Sequence, residues 1–411
     1  MKFTGKMSLS GAGCRRYPAT LAVAVLATAA CASLMLASQP VEAGWQAEAD
    51  FRYRLERVEQ ANLDSNTTAS TARLRLNAYT PSWHGFDAMA GFHANRVIGE
   101  TRYNDTTGTN PERPVVADPA DTGLAQSWLR YTAEEIPLTG TVGRQRLILD
   151  DARFLGNVGF RQLEQTFDAA HLQWGPGNDW SGSVIHLDRA HRIFGPNHPD
   201  PAMSETDLNA WLGTLNREWE GHRASIYVHR FGNEDNPDAS HANDGIRLTG
   251  PMGGLDYLAE FARQTEHRSG GPEAAQHYVH LRLAGEVGDG WQWHLGHERL
   301  GGDGDAAFQT PFATLHAFNG WADQFLTTPE TGLRDTYVGA SPPLPGAWTL
   351  TGRIHDFRAD QGGESYGREF NLVANRDLPQ GWNLELKAAR YDADSFAQNT
   401  TKAWITLANR W

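Results

Sequence analysis

Arginine is the residue whose placement in this chain first points to chemistry. Arg52, Arg54, Arg73, Arg75, Arg130, Arg144 and Arg146 fall in segments where charged and apolar side chains alternate, and Arg223, Arg247, Arg282, Arg353 and Lys387 repeat the pattern further on. A guanidinium binds carboxylate, sulfate or phosphate through paired hydrogen bonds, so several on one wall would guide an anion through a narrow, weakly screened passage. The same side chains could instead pair with Glu48, Asp50, Glu56, Asp87, Asp150 or Asp151 and brace the structure. The sequence leaves both readings open. Two long connections add to the set. Residues 149–165 carry Asp150, Asp151, Arg153, Arg161 and Gln162, and residues 301–333 carry His316, Asn319 and Asp323 among five aromatics too apolar to hang in water. Both are expected to pack against something and to set the size and charge of a passage.

Other chemical signals are weaker. Asp150 and Asp151 are adjacent, so in an extended chain they face opposite ways and make a poor acid/base pair. The run from Gly301 to Asp305 lacks the ligand spacing of an EF-hand loop. Alternating pairs such as His186 with Asp188, or His294 with Glu298, could hold a metal only if they converge. No nucleophile elbow, phosphate loop, dinucleotide fingerprint or zinc pattern stands out. The expectation is a protein without cofactor or metal that is not an enzyme.

The elements that would position these residues are strands. From Trp45 to Glu56, one face reads Trp45, Ala47, Ala49, Phe51, Tyr53, Leu55 and the other Gln46, Glu48, Asp50, Arg52, Arg54, Glu56. Such period-two alternation describes a strand with one face in water and the other against a core or lipid. The grammar recurs through 70–79, 86–96, 139–148 and 381–391, and cutting at turn signals gives eighteen candidate strands between 45–57 and 401–411. Short connections alternate with long ones. That is the plan of a transmembrane antiparallel β-barrel, with short periplasmic turns and long extracellular loops.

Composition agrees. The 411 residues include 42 Gly and 14 Trp, and the one long apolar stretch lies within the first forty residues, which excludes a bundle of membrane helices. A formal net charge of −13 argues against a nucleic-acid partner. Lys2, Lys6, Arg15 and Arg16 precede the apolar run 21–37, and Val41-Glu42-Ala43 offers a cleavage site, so residues 1–43 read as a secretory signal and 44–411 as the barrel. Cys14 and Cys31 fall within the signal, leaving the exported part without cysteine.

Tryptophan gives an independent indication. Trp83, Trp180, Trp219, Trp291, Trp348 and Trp382 stand at or beside the short turns, and Trp45 and Trp411 at the two ends of the exported part. Amphipathic rings settle at headgroup level, so these eight describe a girdle at one interface. A soluble exported carbohydrate-binding β-protein would need its apolar faces to meet each other and has no reason for a one-sided belt. The last segment alternates Ala403, Ile405, Leu407 and ends on Trp411, which resembles the terminal signal read by the barrel-assembly machinery.

The stretches Gly143-Arg144-Gln145-Arg146, Arg153-Phe154-Leu155-Gly156, Arg161-Gln162 and Gln165-Thr166-Phe167-Asp168, with the run from Leu315 to Phe325, carry a resemblance to a known family. The sequence is similar to the alginate-export family of Gram-negative outer-membrane porins. That resemblance implies eighteen strands, loops partly occluding the pore and an arginine-lined conduit for a polyanionic polysaccharide. The function expected is therefore passive, selective passage of anionic solutes or an acidic, alginate-like polysaccharide across the outer membrane, with membrane lipid as surroundings. The alternatives are a barrel-scaffolded enzyme acting on lipid or glycan, and a general small-solute porin without anion preference.

Overall fold

The computed structural model describes residues 44–99, 102–175, 177–268 and 270–411. The signal reading of 1–43, with both cysteines, lies outside them. Eighteen antiparallel strands follow one another from β1 (Gln46–Gln60) to β18 (Thr400–Arg410), each hydrogen-bonded to its sequence neighbours. β1 also pairs with β18, in the register Phe51↔Asn409 and Arg54↔Thr406. The closure is finished by Ala49 and Trp411, each donating its backbone N–H to the other's carbonyl at 3.0 and 2.9 Å. A closed sheet satisfies every strand against a neighbour, which is what a chain in hydrocarbon requires.

Alternation decides which way each side chain points. Leu129 stands opposite Val142 and Ile226 opposite Ile246, and all four are exposed, as are Leu76, Phe92, Val184, Leu281, Val338, Ile354, Phe370 and Ile405. They form the lipid-facing belt. Trp45, Trp83, Trp180, Trp219 and Trp291 are exposed at its periplasmic edge, where the eight-residue girdle was expected. The connection between β8 (Glu205–Trp219) and β9 (His222–Asn233) is only 220–221, whereas the one between β13 (Trp291–Leu300) and β14 (Leu333–Ser341) is 301–332. Long connections lie at the opposite end from the termini.

Three of the long connections fold inward. Residues 98–120 lay Tyr103 and Val116 on Val58 and Ala69 of β1 and β2 (Thr67–Tyr79). Residues 301–332 bring Phe308, Ala322 and Phe325 against Tyr278, Phe357, Tyr391 and Trp404. Residues 146–165 bring Leu147 and Leu155 against Ile185, Leu187 and Leu208.

Two expectations are corrected here. The fifth strand, expected over 139–148, is β5 (Leu138–Gln145), because the chain leaves the wall after Gln145 to enter the lumen. Arg144 does not point inward. It stands opposite Ser127 and Asp168 and shares its face with Val142, and Asp168 lies between Phe167 and Ala169, both of which are packed in the lumen. Arg144 is thus on the outer face, ion-paired to Asp168 at 3.0 Å. Val142 shares its parity and faces lipid, so period two itself sends Arg144 outward.

Candidate functional site: an occluded lumen

The register of β1 and β2 places Arg52 directly opposite Arg73, and Asp50 opposite Arg75. Two like charges facing each other are unfavourable. The strain is relieved by Asp50, which binds Arg73, and by the inward connection 146–165. Arg52 donates to Gln162 Oε1 at 3.0 Å, to the carbonyl of Gly159 at 2.8 Å and to that of Arg161. Arg54 donates to the Phe160 carbonyl at 2.5 Å and lies 3.5 Å from Asp118. Arg75 reaches the Gln162 carbonyl at 3.2 Å and Glu164 at 3.3 Å. These guanidinium groups therefore hold a loop by its backbone carbonyls, and Arg54, Arg73 and Arg75 are buried.

The two inward connections lock onto each other and onto the far wall. Gly156 N–H donates to Phe312 O and Thr314 N–H to Ala152 O, each at 2.9 Å. Arg153 pairs with Glu298 of β13 at 2.7 Å and donates to Thr310 and Asn319. Asn319 in turn donates to Glu298 at 2.6 Å and to Asp335 at 3.3 Å. Arg161 bridges Glu56 at 3.1 Å and Asp323 at 3.4 Å. Glu369 of β16 (Ser365–Asp377) accepts from the backbone of Trp321 and Ala322, and it fits there because Gly320, at φ +87°, has no side chain to meet it.

His316, Asp323, Lys387 and Lys402 form a buried relay. Burial pushes the His316 ring down to about 3, so it is neutral. Its Nδ1–H then donates to Asp323 at 2.7 Å, and Nε2 accepts from Lys387 Nζ at 2.7 Å. Burial alone would raise the Asp323 carboxyl, but the His316 ring, Lys402 at 2.7 Å and Arg161 hold it well below the ordinary carboxylate range. The Phe160 ring stacks on His316 at 3.6 Å between centroids and lies under Arg54, Arg161 and Lys387.

The other expected residues are dispersed. Arg130 pairs with Asp87 and is half-exposed toward the periplasmic end. Arg146, just past β5, holds Glu164 at 2.7 Å. Asp150 lies 3.7 Å from Arg223, Asp151 2.9 Å from Arg247, and Arg353 donates to His294 at 3.1 Å. Of the histidine pairs, His186 packs beside the exposed Trp211 on the lipid side. Asp151, Glu260 and His280 bring ligand atoms within 4.8 Å of one another, but Arg247, 2.6 Å from Glu260, already supplies the positive charge there. Sequence reading missed Asp118, Glu164, Glu369 and Lys402, and named Glu298 only as a possible metal ligand beside His294, whereas it is the partner of Arg153. Of the four missed, Glu164 had a signal, sitting inside the Arg161-to-Asp168 stretch.

Occlusion is one-sided. The 301–332 connection and its aromatic cluster fill the half lined by β9 to β18. On the other half a vestibule of about 330 Å³ remains below the 146–165 loop, lined by Asp150, His171, Gln173, Ser183, Asn216 and Arg223. Its lining is mostly polar, with Ile148, Leu149 and Trp174 at its edge, and the same 146–165 connection carries Glu164, on which Arg75 and Arg146 converge as a charged eyelet.

A family model described as alginate export matches residues 45–307. The chain belongs to the alginate export family. It is an outer-membrane β-barrel channel for anionic solutes. Its fold is that of OccAB4 of Acinetobacter baumannii, with a TM-score of 0.68 at 11% identity over 90% of this chain and 99% of that one. OpdK of Pseudomonas aeruginosa gives 0.66 at 13% identity over 89% and 98%, and OpdL of the same organism 0.65 at 16% identity over 89% and 98%. Among curated proteins no relative matches. For this alginate-export-family barrel, the likeness extends over the whole eighteen-stranded wall.

Proposed function

We propose that this barrel passes small anionic solutes by facilitated diffusion along the side of the lumen between β4 (Asp121–Thr132) and β8, through the Arg75–Glu164–Arg146 eyelet. One observation carries the reading: the opposite half is filled by a packed aromatic core, whereas the polar vestibule is not. A compact anion would exchange water for successive weak hydrogen bonds, none strong enough to trap it. A similar barrel, OpdK, has been solved with vanillate, a small carboxylate, which supports solutes of that size here. An acidic polysaccharide, favoured by the family match, would need the 301–332 loop undocked. We read a channel and not an enzyme, because the buried acids Glu164, Glu298 and Asp323 are each held by an arginine or lysine.

The test is reversal potential and conductance of the refolded mature protein in planar bilayers under a KCl gradient, with benzoate and with oligouronate added. Anion-selective current carried by benzoate and indifferent to oligouronate is the expected result. Block by oligouronate would move the assignment to a polysaccharide conduit, and cation preference would refute the anion reading.

A further inference from the structure

The barrel wall is interrupted at its outer end. β3 (Phe86–Val97) and β4 (Asp121–Thr132) stay paired up to Asn95↔Asp121, but the β4–β5 ladder stops at Ser127↔Arg144. The chain then turns into the lumen, so the β4 edge over 121–126 has no strand beside it. Toward the membrane Gln126 Oε1 accepts the Arg146 backbone N–H at 3.0 Å, and at the outer end Gly195 lies beside Leu163, Pro119 and Asp121. Membrane barrels ordinarily leave no such edge in the wall. Across the gap stand Thr166 of β6 (Thr166–Trp174), His191 at the end of β7 (Trp180–His191) and the connection 192–204.

A cavity of about 430 Å³ occupies this gap and is lined from both faces of the wall. From the outside come Leu124, which pairs with the lipid-facing Phe92, and Arg144. His191 also faces out, since its neighbour Ala190 is buried in the lumen cluster, and Glu205 stands opposite it in register. From the inside come His93, Asp121, Leu163 and Arg192, whose guanidinium lies 5.4 Å from the ring of the lumen residue Phe312. A strand crosses the hydrocarbon in about 9–11 residues. Counted from Tyr131 at the periplasmic end of β4, Leu124 lies at the outer boundary of the apolar belt.

The ionisable groups lining the cavity from β3 to β8 have polar partners, with one exception. His93 meets Asp121 at 2.7 Å, Arg144 meets Asp168 at 3.0 Å, Glu164 meets Arg146 at 2.7 Å, and His191 meets Asp168 at 2.9 Å and Glu205 at 3.5 Å. The Arg192 guanidinium has no carboxylate and no hydrogen-bond acceptor among the described residues, and rests on Phe312 alone. Beside it are the apolar surfaces of Leu124, Leu163, Pro196 and Pro201.

We propose that this breach is a lateral portal, through which an amphiphilic anion passes between the outer leaflet and the lumen. Its carboxylate or sulfonate head binds Arg192 and its apolar body lies along Leu124, Leu163 and Pro196. The inference rests on the channel reading above, and adds a substrate class and a second route to it.

The test compares octanesulfonate with methanesulfonate on the mature protein. The two share a permanently charged head, and only the first has a tail for the portal. Block of KCl current in planar bilayers, and binding measured by calorimetry in nanodiscs, are followed for wild type, Arg192→Gln and Gly123→Trp. Gly123 lies on the inner face of β4 and lines the cavity, and a Cβ there would meet nothing closer than 3.6 Å, so the backbone accepts a side chain that projects into the cavity. Wild type should bind octanesulfonate at least about tenfold more tightly than methanesulfonate, the scale of burying about two methylene groups of its tail, since the head is common to both. Gly123→Trp should abolish that advantage with KCl conductance unchanged, and Arg192→Gln should weaken octanesulfonate about tenfold. Equal binding of the two sulfonates, or octanesulfonate binding untouched by both substitutions, would overturn the portal. Loss of the channel reading has a different signature, absent anion current with calorimetric binding intact.

Discussion

The two halves of this lumen are built on different physics. Where the 301–332 connection meets β9 to β18, Phe325 packs with Phe357 at 4.6 Å and with Phe396 at 5.2 Å between centroids, and buried ion pairs fix the loop in one register. Along β4 to β8 one side of the 146–165 loop is seated on a smaller cluster of Leu155, Ile185, Leu187 and Leu208, the other is held by guanidinium groups of β1 and β2 on its carbonyls, and a mostly polar vestibule remains open below. A filled half with a core resists opening. A half held by charge keeps space for water and solute.

The contrast is broken most severely by Arg153→Ala. Arg153 and Glu298 are 1% and 2% exposed. Removing the guanidinium strands a carboxylate in the interior, a change that costs about 3–5 kcal/mol. The expected outcome is an undocked 301–332 loop, seen as a severalfold larger single-channel conductance in planar bilayers and loss of oligouronate exclusion. Arg153→Met combined with Glu298→Leu, which removes both charges, should restore most of the docking.

Acid should open the same half more gradually. His316 in the docked loop stays neutral down to about pH 3, but a released histidine takes up a proton below about 6.5. Asp323 likewise keeps its charge below the range in which a released aspartate loses it. Both groups bind more protons when the loop is free, so docking weakens as pH falls from 6.5 toward 3, by up to about 1.4 kcal/mol per pH unit for the histidine. Conductance traces across that interval should show increasingly frequent large openings. His316→Gln should flatten the upper part of the pH dependence and leave the contribution below pH 4.

Much of this fold was legible because a barrel in lipid allows little else. Alternation from Gln46 to Glu56 names the two faces of β1, and the turns beside Trp83, Trp180 and Trp219 divide the strands. Boundaries failed where tertiary packing overrode local pattern. Residues 146–148 continue the alternation of β5, yet Leu147 is drawn inward by Leu155, Phe167 and Phe312. The site was legible as a set of residue types and not as a set of contacts. Arg54 finds its acid in Asp118, from another loop, and Asp323 finds Lys402 on β18. No spacing along the chain encodes such meetings, because the loops that make them cross the lumen. Whether an arginine braces or conducts depends on that crossing, and most of those named first are buried as braces.

The finest distinction between the halves concerns Glu164, whose carboxylate is shared by Arg75 and Arg146 at the eyelet. Burial disfavours its charge, but the two guanidinium groups outweigh this and hold the carboxyl below its usual range. Glu164→Gln keeps the shape and an oxygen acceptor for Arg146 while freeing one positive charge to face the passage. One unit of charge in a constriction is worth about 1 kcal/mol at short range, so the chloride-to-potassium permeability ratio should rise about fivefold. Stability should also fall, by up to about 3 kcal/mol, because Arg75 is left buried near Arg73 and Arg52 without this carboxylate. The same neutralisation at Asp392, exposed on the outer face beside Arg390, should alter neither selectivity nor stability by more than about 0.5 kcal/mol. If Glu164→Gln were as silent as Asp392→Asn, the passage would have to run elsewhere than the β4–β8 side. A shift at Glu164 alone would fix the conducting route to the charge-held half of the lumen.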